Sequence, residues 1–133
     1  LTGPVNLTSN MALVIEPGVT VMATAEGYRS IALPPLPSMG GSVIAGGGIG
    51  AGAPCRYSPL ISAWHATNVS LHGGGRIDGR GLPWYNYNST PCGKPLMLEF
   101  NWVTGLRIHD IHIHNSPSWT INPYMAKDVH IYR

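Results

Sequence analysis

The sequence predicts an all-β solenoid of about four stacked coils with two long lateral loops. Three observations predict it: strand-like segments recur at a fixed offset, their apolar residues alternate with polar ones, and charged residues are few. The recurrence is clearest over residues 96–133. Ile121, Val129 and Ile131 each lie 23 residues after Leu98, Leu106 and Ile108. Within this stretch Leu106, Ile108, Ile111 and Ile113 fall on one side, and Arg107, His109, His112 and His114 on the other. That is the period of two expected of half-buried strands. A strand pair that recurs every ~20–50 residues predicts coils stacked one upon the next.

Taken in order, residues 1–22 read as a first coil, with Leu13, Ile15, Val19 and Val21 pointing inward and Pro17-Gly18 making the turn. Val19 and Val21 are matched to Val69 and Leu71 at an offset of 50, which leaves 27 inserted residues within 25–54. That segment reads as the first lateral loop. Its Gly46-Gly47-Gly48-Ile49-Gly50-Ala51 run imitates a phosphate loop, but no strand leads into it and no Lys-Ser/Thr closes it. No nucleotide site is expected there. Residues 58–71 form the second coil: Ile61, Val69 and Leu71 precede Leu98, Leu106 and Ile108 by 37, an excess of 14 that places the second loop near residues 81–94. The glycines from Gly73 to Gly81 permit a sharp turn, and Asp78 among them reads as a turn cap. Met97 and Met125 read as core fillers.

Composition narrows the function classes. Only 11% of residues are charged, against 17 Gly and 12 Pro, which suits a β-rich, loop-rich extracellular protein. A net charge of +2 makes no case for nucleic acid, and no apolar run is long enough to span a membrane. With neither an initiator Met nor a leader sequence, the chain is expected to begin inside a longer precursor or a mature protein. Asn6, Asn68 and Asn88 each open a glycan acceptor sequon, which points to secretion. Cys55 and Cys92 lie 37 apart, the same offset that relates two coils. In that register they sit one above the other at about 4.8 Å, within reach of a disulfide. Two free thiols are the alternative.

The run Gly75-Arg76-Ile77-Asp78-Gly79-Arg80-Gly81-Leu82-Pro83-Trp84-Tyr85 resembles the Gly-x-Ile-Asp-Gly-x-Gly-x-x-Trp segment of the polygalacturonases, glycoside hydrolase family 28. Asn115-Ser116-Pro117-Ser118-Trp119-Thr120-Ile121 is similar to the Asn-Ser-Pro-x-Trp-x-Ile segment of its plant-like branch. The opening Leu1-Thr2-Gly3-Pro4-Val5-Asn6-Leu7, the Leu33-Pro34-Pro35-Leu36-Pro37-Ser38 loop and Arg56-Tyr57-Ser58-Pro59-Leu60-Ile61 resemble the same branch. The motifs keep the family's order along essentially the whole chain. The resemblance implies a right-handed parallel β-helix, in agreement with the repeat.

It also implies a chemistry. Family members hydrolyse α-1,4-galacturonan with inversion, which needs a carboxylic acid over the leaving oxygen and a carboxylate base on the opposite face. The family's Asn-Thr-Asp, Asp-Asp, Gly-His-Gly and Arg-Ile-Lys motifs lie on later coils, and none occurs in this sequence. The six acids, Glu16, Glu26, Asp78, Glu99, Asp110 and Asp128, match none of the catalytic positions. Residues 1–133 are therefore expected to be the N-terminal part of one β-helix domain, ending before the catalytic coils. No catalytic residue, metal or cofactor is expected within them. The partner implied is a pectin-like polysaccharide. Trp119, with Asn115 and Asn122, is the candidate for contact with it, Trp119 on the groove-lining face of a strand; a Trp capping the side wall is the alternative. His109, His112 and His114 invite a metal, but no carboxylate or thiolate is expected to complete a ligand set with them, so they read as the polar face of a strand. A different class stays open: a structural or carbohydrate-binding extracellular β-helix that assembles through its open ends, since residues 129–133 end in a strand. An unrelated all-β adhesin is a third.

Overall fold

The computed structural model describes residues 1–29, 32–33, 55–85 and 92–133. The first pass of the chain lays down β1 (Val5–Leu7), β2 (Met11–Val14) and β3 (Thr20–Met22). A lateral segment follows, with helix α1 (Ala25–Arg29) and a short antiparallel pair, β4 (Ala32–Leu33) and β5 (Arg56–Tyr57). The second pass is β6 (Ile61–Trp64), β7 (Thr67–His72) and β8 (Arg76–Asp78), followed by helix α2 (Leu82–Tyr85) in a second lateral segment. The third is β9 (Leu98–Asn101), β10 (Thr104–His109) and β11 (His112–His114); the fourth is β12 (Ile121–Tyr124) and β13 (Lys127–Tyr132). Corresponding strands pair in parallel, giving a first sheet β1-β6-β9-β12, a second β2-β7-β10-β13 and a third β3-β8-β11. The fold is a right-handed parallel β-helix of about four coils with two lateral loops.

The predicted offsets hold over the last three coils. Leu98 pairs with Ile121 and Leu106 with Val129, at 23; Ile61 pairs with Leu98 and Val69 with Leu106, at 37. The first coil is corrected. Leu13, not Val21, pairs with Leu71, while Val21 pairs with Ile77 and Val5 with Ile61. The offset there is 56–58 rather than 50, and Val19 is 47% exposed in the turn after Pro17-Gly18. Met97 is a core residue as expected, whereas Met125 is 62% exposed because it sits on a corner. The Gly-rich run at residues 46–51 and most of the proline-rich loop lie outside the described residues.

The corner between the first and second sheets explains how each coil bends. Asn10, Asn68, Gly105 and Asp128, one per coil, all take left-handed backbone, with φ from 52 to 76°. Gly adopts it freely, and Asn and Asp tolerate it by local hydrogen bonding. Asn68 Nδ2 donates to Asn10 Oδ1 at 3.1 Å, tying two coils together at this row. A second left-handed row, His65, Trp102 and Met125, costs about 1–2 kcal/mol per residue. Stacking offsets part of that cost: the His65 and Trp102 rings lie 4.7 Å apart and nearly parallel.

Both lateral segments leave after a third-sheet strand and pack against each other. Trp84 of α2 is buried between Tyr28 of α1 (5.9 Å, edge-on) and Tyr57 of β5 (5.4 Å). The Cys55–Cys92 disulfide, with Cα atoms 4.8 Å apart, joins the segments covalently. Arg56 then reaches over the outer face of the first sheet to Glu99, with Nη1 and Nη2 at 2.7 and 3.1 Å from its two carboxylate oxygens. Both side chains are almost wholly buried. Trp64 Nε1 and Asn101 Nδ2 also donate to Glu99 Oε1. Burial pushes the Glu99 carboxyl up and the Arg56 guanidinium down, and their mutual attraction opposes both shifts.

Two outcomes are expected. Arg56→Met leaves a buried carboxylate without its countercharge and should cost about 3–5 kcal/mol in chemical denaturation, whereas Arg56→Met combined with Glu99→Leu should recover most of that loss. A double variant no more stable than the single one would contradict the pairing. Gly81→Ala places a Cβ against the Ser116 carbonyl, where neither backbone can retreat. It should lower stability by about 1–3 kcal/mol, read as a fall in Tm, while Gly18→Ala, open to solvent, loses only what its left-handed φ costs.

Candidate functional site

The two longest motifs meet in space. Gly79 and Gly81 lie against the carbonyls of Asn115 and Ser116, close enough that a Cβ on either would collide with backbone. Gly79 N–H donates to His114 O at 3.0 Å and Gly81 N–H to Asn115 O at 2.7 Å, so the segments run together as neighbouring coils. Residues 115–119 are a connection after β11, so Trp119 does not lie on a strand as expected. Ser116 and Pro117 are buried in this contact, and Tyr85 Oη donates to Ser116 O at 2.6 Å.

A cleft of about 480 Å³ opens beside this contact, lined by Asp78, Arg80, Gly81, Leu82, Pro83, Tyr85 and Asn115. Asp78 Oδ1 accepts the Arg80 backbone N–H at 2.9 Å and Asn115 Nδ2 at 3.1 Å. Desolvation pushes the Asp78 carboxyl up. The two hydrogen bonds and the charges of His114 and Arg80 outweigh that and hold it below the usual carboxylate range. Asp78 therefore caps the turn, as its neighbours in the sequence suggest, and stays ionised. The Tyr85 ring is 57% exposed, with the Lys94 ammonium 5.1 Å from its centroid. The cleft offers one fixed carboxylate, cationic groups and an aromatic plane. Those are the groups that a polar, ring-shaped ligand requires, whereas a single ionised carboxylate cannot supply both the acid and the base of an inverting hydrolysis.

The three candidate residues fall in different places. Asn115 lines the cleft with its amide engaged by Asp78. Trp119 precedes β12 and is 41% exposed; its carbonyl accepts the Met97 N–H at 3.0 Å, which fixes its backbone to the third coil. Asn122 sits in β12 in register with Glu99. Its Nδ2 and the Oδ1 of Asn101 are buried with no partner among the described residues. Asn6, in β1, and Asn68 are exposed, while Asn88 lies outside the described residues. His109 is stacked between His72 and Tyr132 with Nδ1 2.8 Å from Asp110, and His112 and His114 are exposed on β11. Among the described residues no group of three or more His, Cys, Asp or Glu converges for a metal.

Arg80, Tyr85 and Lys94 were not singled out by sequence reasoning, because the cleft arises only when the second loop folds onto residues 115–116. The Arg56–Glu99 pair did carry a signal. A lone Glu in the apolar run 96–100 demands a buried partner.

Comparison with known proteins fits this architecture. Residues 41–133 match the model of glycosyl hydrolases family 28. A probable polygalacturonase of Vitis vinifera is 28% identical over 97% of the chain, and the chain spans 26% of that protein's length. The crystal structure of a hyperthermoactive exopolygalacturonase from Thermotoga maritima superposes with a TM-score of 0.67 at 22% identity, over 96% of this chain and 35% of that one. A putative glycosyl hydrolase from Parabacteroides merdae superposes at 0.63 with 18% identity, over 98% of this chain and 53% of that one. The chain thus covers about a quarter to a half of each relative. With a family model matched over more than two thirds of its length and the family's motifs in contact with each other, this chain belongs to family 28 of the glycosyl hydrolases.

Proposed function

We propose that this chain forms the N-terminal coils of a secreted pectin hydrolase that cleaves galacturonan with inversion, and that its catalytic acids lie on coils beyond Arg133. The family match over residues 41–133 carries the reading. The absence of the catalytic motifs from the sequence supports their assignment to later coils. In this reading residues 1–133 belong to a single β-helix domain. Trp119 supplies a plane for sugar stacking. Asn115 and Asn122 hold substrate or the residues that touch it. The unsatisfied Asn122 amide favours such a partner, since a buried donor left without one costs roughly 1–3 kcal/mol. Secretion is supported by the disulfide and by the exposed sequon residues Asn6 and Asn68.

A second reading is a non-catalytic, carbohydrate-binding or structural β-helix that docks end to end with another molecule.

A reducing-sugar assay on polygalacturonate separates them. Residues 1–133 alone should give no turnover above background, because each missing acid–base group is worth about 10²–10⁴ in rate, whereas the full-length protein should hydrolyse the polymer. Turnover by the short chain that is lost on Asp78→Asn would refute the placement of the catalytic acids, and an inactive full-length protein would favour the structural β-helix.

A further inference from the structure

Two of the three sequons lie among the described residues, and the fold treats them differently. In Asn6-Leu7-Thr8 the middle residue is buried in the core, so Asn6 and Thr8, on either side of it, face outward, and both are exposed. Asn6 Oδ1 accepts the Ser62 hydroxyl at 3.2 Å. Its Nδ2, the atom to which an N-linked glycan attaches, has no hydrogen-bond partner among the described residues. Strands are poor in Asn, so the position in β1 does not by itself explain the residue.

Asn68-Val69-Ser70 has the same alternation, with Val69 buried, but its Asn is a corner residue. Its φ is 56°, and its counterparts on the other coils, Asn10, Gly105 and Asp128, take the same left-handed backbone. None of those three opens a sequon, so the corner alone accounts for an Asn at 68. The Asn68 Nδ2 is already engaged, donating to Asn10 Oδ1 at 3.1 Å, and the adjacent Thr67 N–H donates to Ser9 Oγ at 3.0 Å. These two bonds tie the first coil to the second. On the other side Gly105 packs close, since a Cβ there would stand 3.5 Å from Asn68 N.

We propose that Asn6 carries an N-linked glycan and that Asn68 is a corner residue whose sequon stays largely unused. The co-reactant is an oligosaccharide linked to a lipid diphosphate. Its C1–O bond to the diphosphate breaks as the C1–Nδ2 bond forms. The diphosphate leaves with the electron pair, and Nδ2 loses one proton and keeps one N–H. At Asn6 the change falls on a free nitrogen and leaves the Ser62 bond, which ends on Oδ1, intact. At Asn68 it falls on the nitrogen that holds the second coil to the first, and the saccharide competes with Asn10 for that atom. Loss of one such bond is enough to lower the abundance of the modified chains several-fold. A glycan at Asn6 stands on the outer face of the first sheet, in the row Asn6, Ser62, Glu99 and Asn122. Asn122 is three strand spacings away, about 14 Å. Asn6 meets the oligosaccharide donor only in a secreted chain, so the proposal rests on that reading.

The test is peptide mapping of the full-length protein secreted from a eukaryotic host behind an added leader. Enzymatic deglycosylation in heavy-oxygen water turns each glycan-bearing Asn into a labelled Asp, and the labelled fraction is the occupancy. Occupancy at Asn6 should exceed that at Asn68 several-fold. Asn10→Gly keeps the left-handed corner, which Gly adopts freely, but releases Asn68 Nδ2. That variant should raise occupancy at Asn68 several-fold and leave Asn6 unchanged. Occupancy at Asn68 equal to or above that at Asn6, or unaltered in Asn10→Gly, would overturn the proposal, as would an unlabelled Asn6. Because the leader is supplied, the map does not depend on the secreted reading. Failure of that reading shows separately, as retention of the natural protein inside the cells that make it.

Discussion

In-register stacking of inward apolar side chains is the constraint on which the rest of this structure depends. Ile61, Leu98 and Ile121 form one vertical row, and Leu13, Leu71, Ile108 and Ile131 form another. A parallel strand slipped by one residue would turn every inward side chain outward. Any insertion must therefore return the chain to the same register. Both lateral segments satisfy this by leaving after the third-sheet strand and re-entering at the first sheet. The coil length varies from 23 to 58 residues while the strand pairing stays intact. Packing Trp84 between Tyr28 and Tyr57 and joining Cys55 to Cys92 make the two segments one side wall.

The family's most legible motif is first a packing device. Gly73 and Gly75 lie against Ile15 of the coil below, and Gly79 and Gly81 lie against Asn115–Ser116 of the coil above. The second coil is in backbone contact with both neighbours along this run, and a side chain at any of the four glycines would separate them. Asp78 closes the turn between them and bonds to Asn115. The chemistry of the cleft, with its Arg80 and Tyr85, follows from that close approach rather than preceding it.

The offsets of 23 and 37 were readable because coils two to four alternate cleanly and stack without a shift. The first coil was harder. Its opening strand, Val5–Leu7, is three residues long and carries too little alternation to be told from a loop. Val19, apolar but in a turn, supplied a false match. The disulfide was legible because both cysteines keep the coil offset. Glu99, alone in an apolar run, signals that a buried partner exists, but the partner's identity as Arg56 and the cleft were not legible, because each joins a lateral segment to a coil across a distance in sequence that no periodicity marks. Asn122 and Trp119 stood out as residue types. Their separation, one in a strand beside Glu99 and the other exposed before it, depends on the strand's start, which is the least readable feature of a sequence.

The register of the first coil is the most direct test of the account, because it is where sequence periodicity and structure disagree. Ala12 and Ser70 are parallel neighbours in the structure, whereas the offset of 50 would instead set Thr20 beside Ser70. Cysteines bridge readily when their Cα atoms lie about 4.4–6.8 Å apart. The measurement is non-reducing peptide mapping of two double variants, Ala12→Cys/Ser70→Cys and Thr20→Cys/Ser70→Cys, after mild oxidation with the native Cys55–Cys92 bond retained. The structure predicts a near-complete 12–70 crosslink and none between 20 and 70. A 20–70 crosslink with an unreacted 12–70 pair would contradict it.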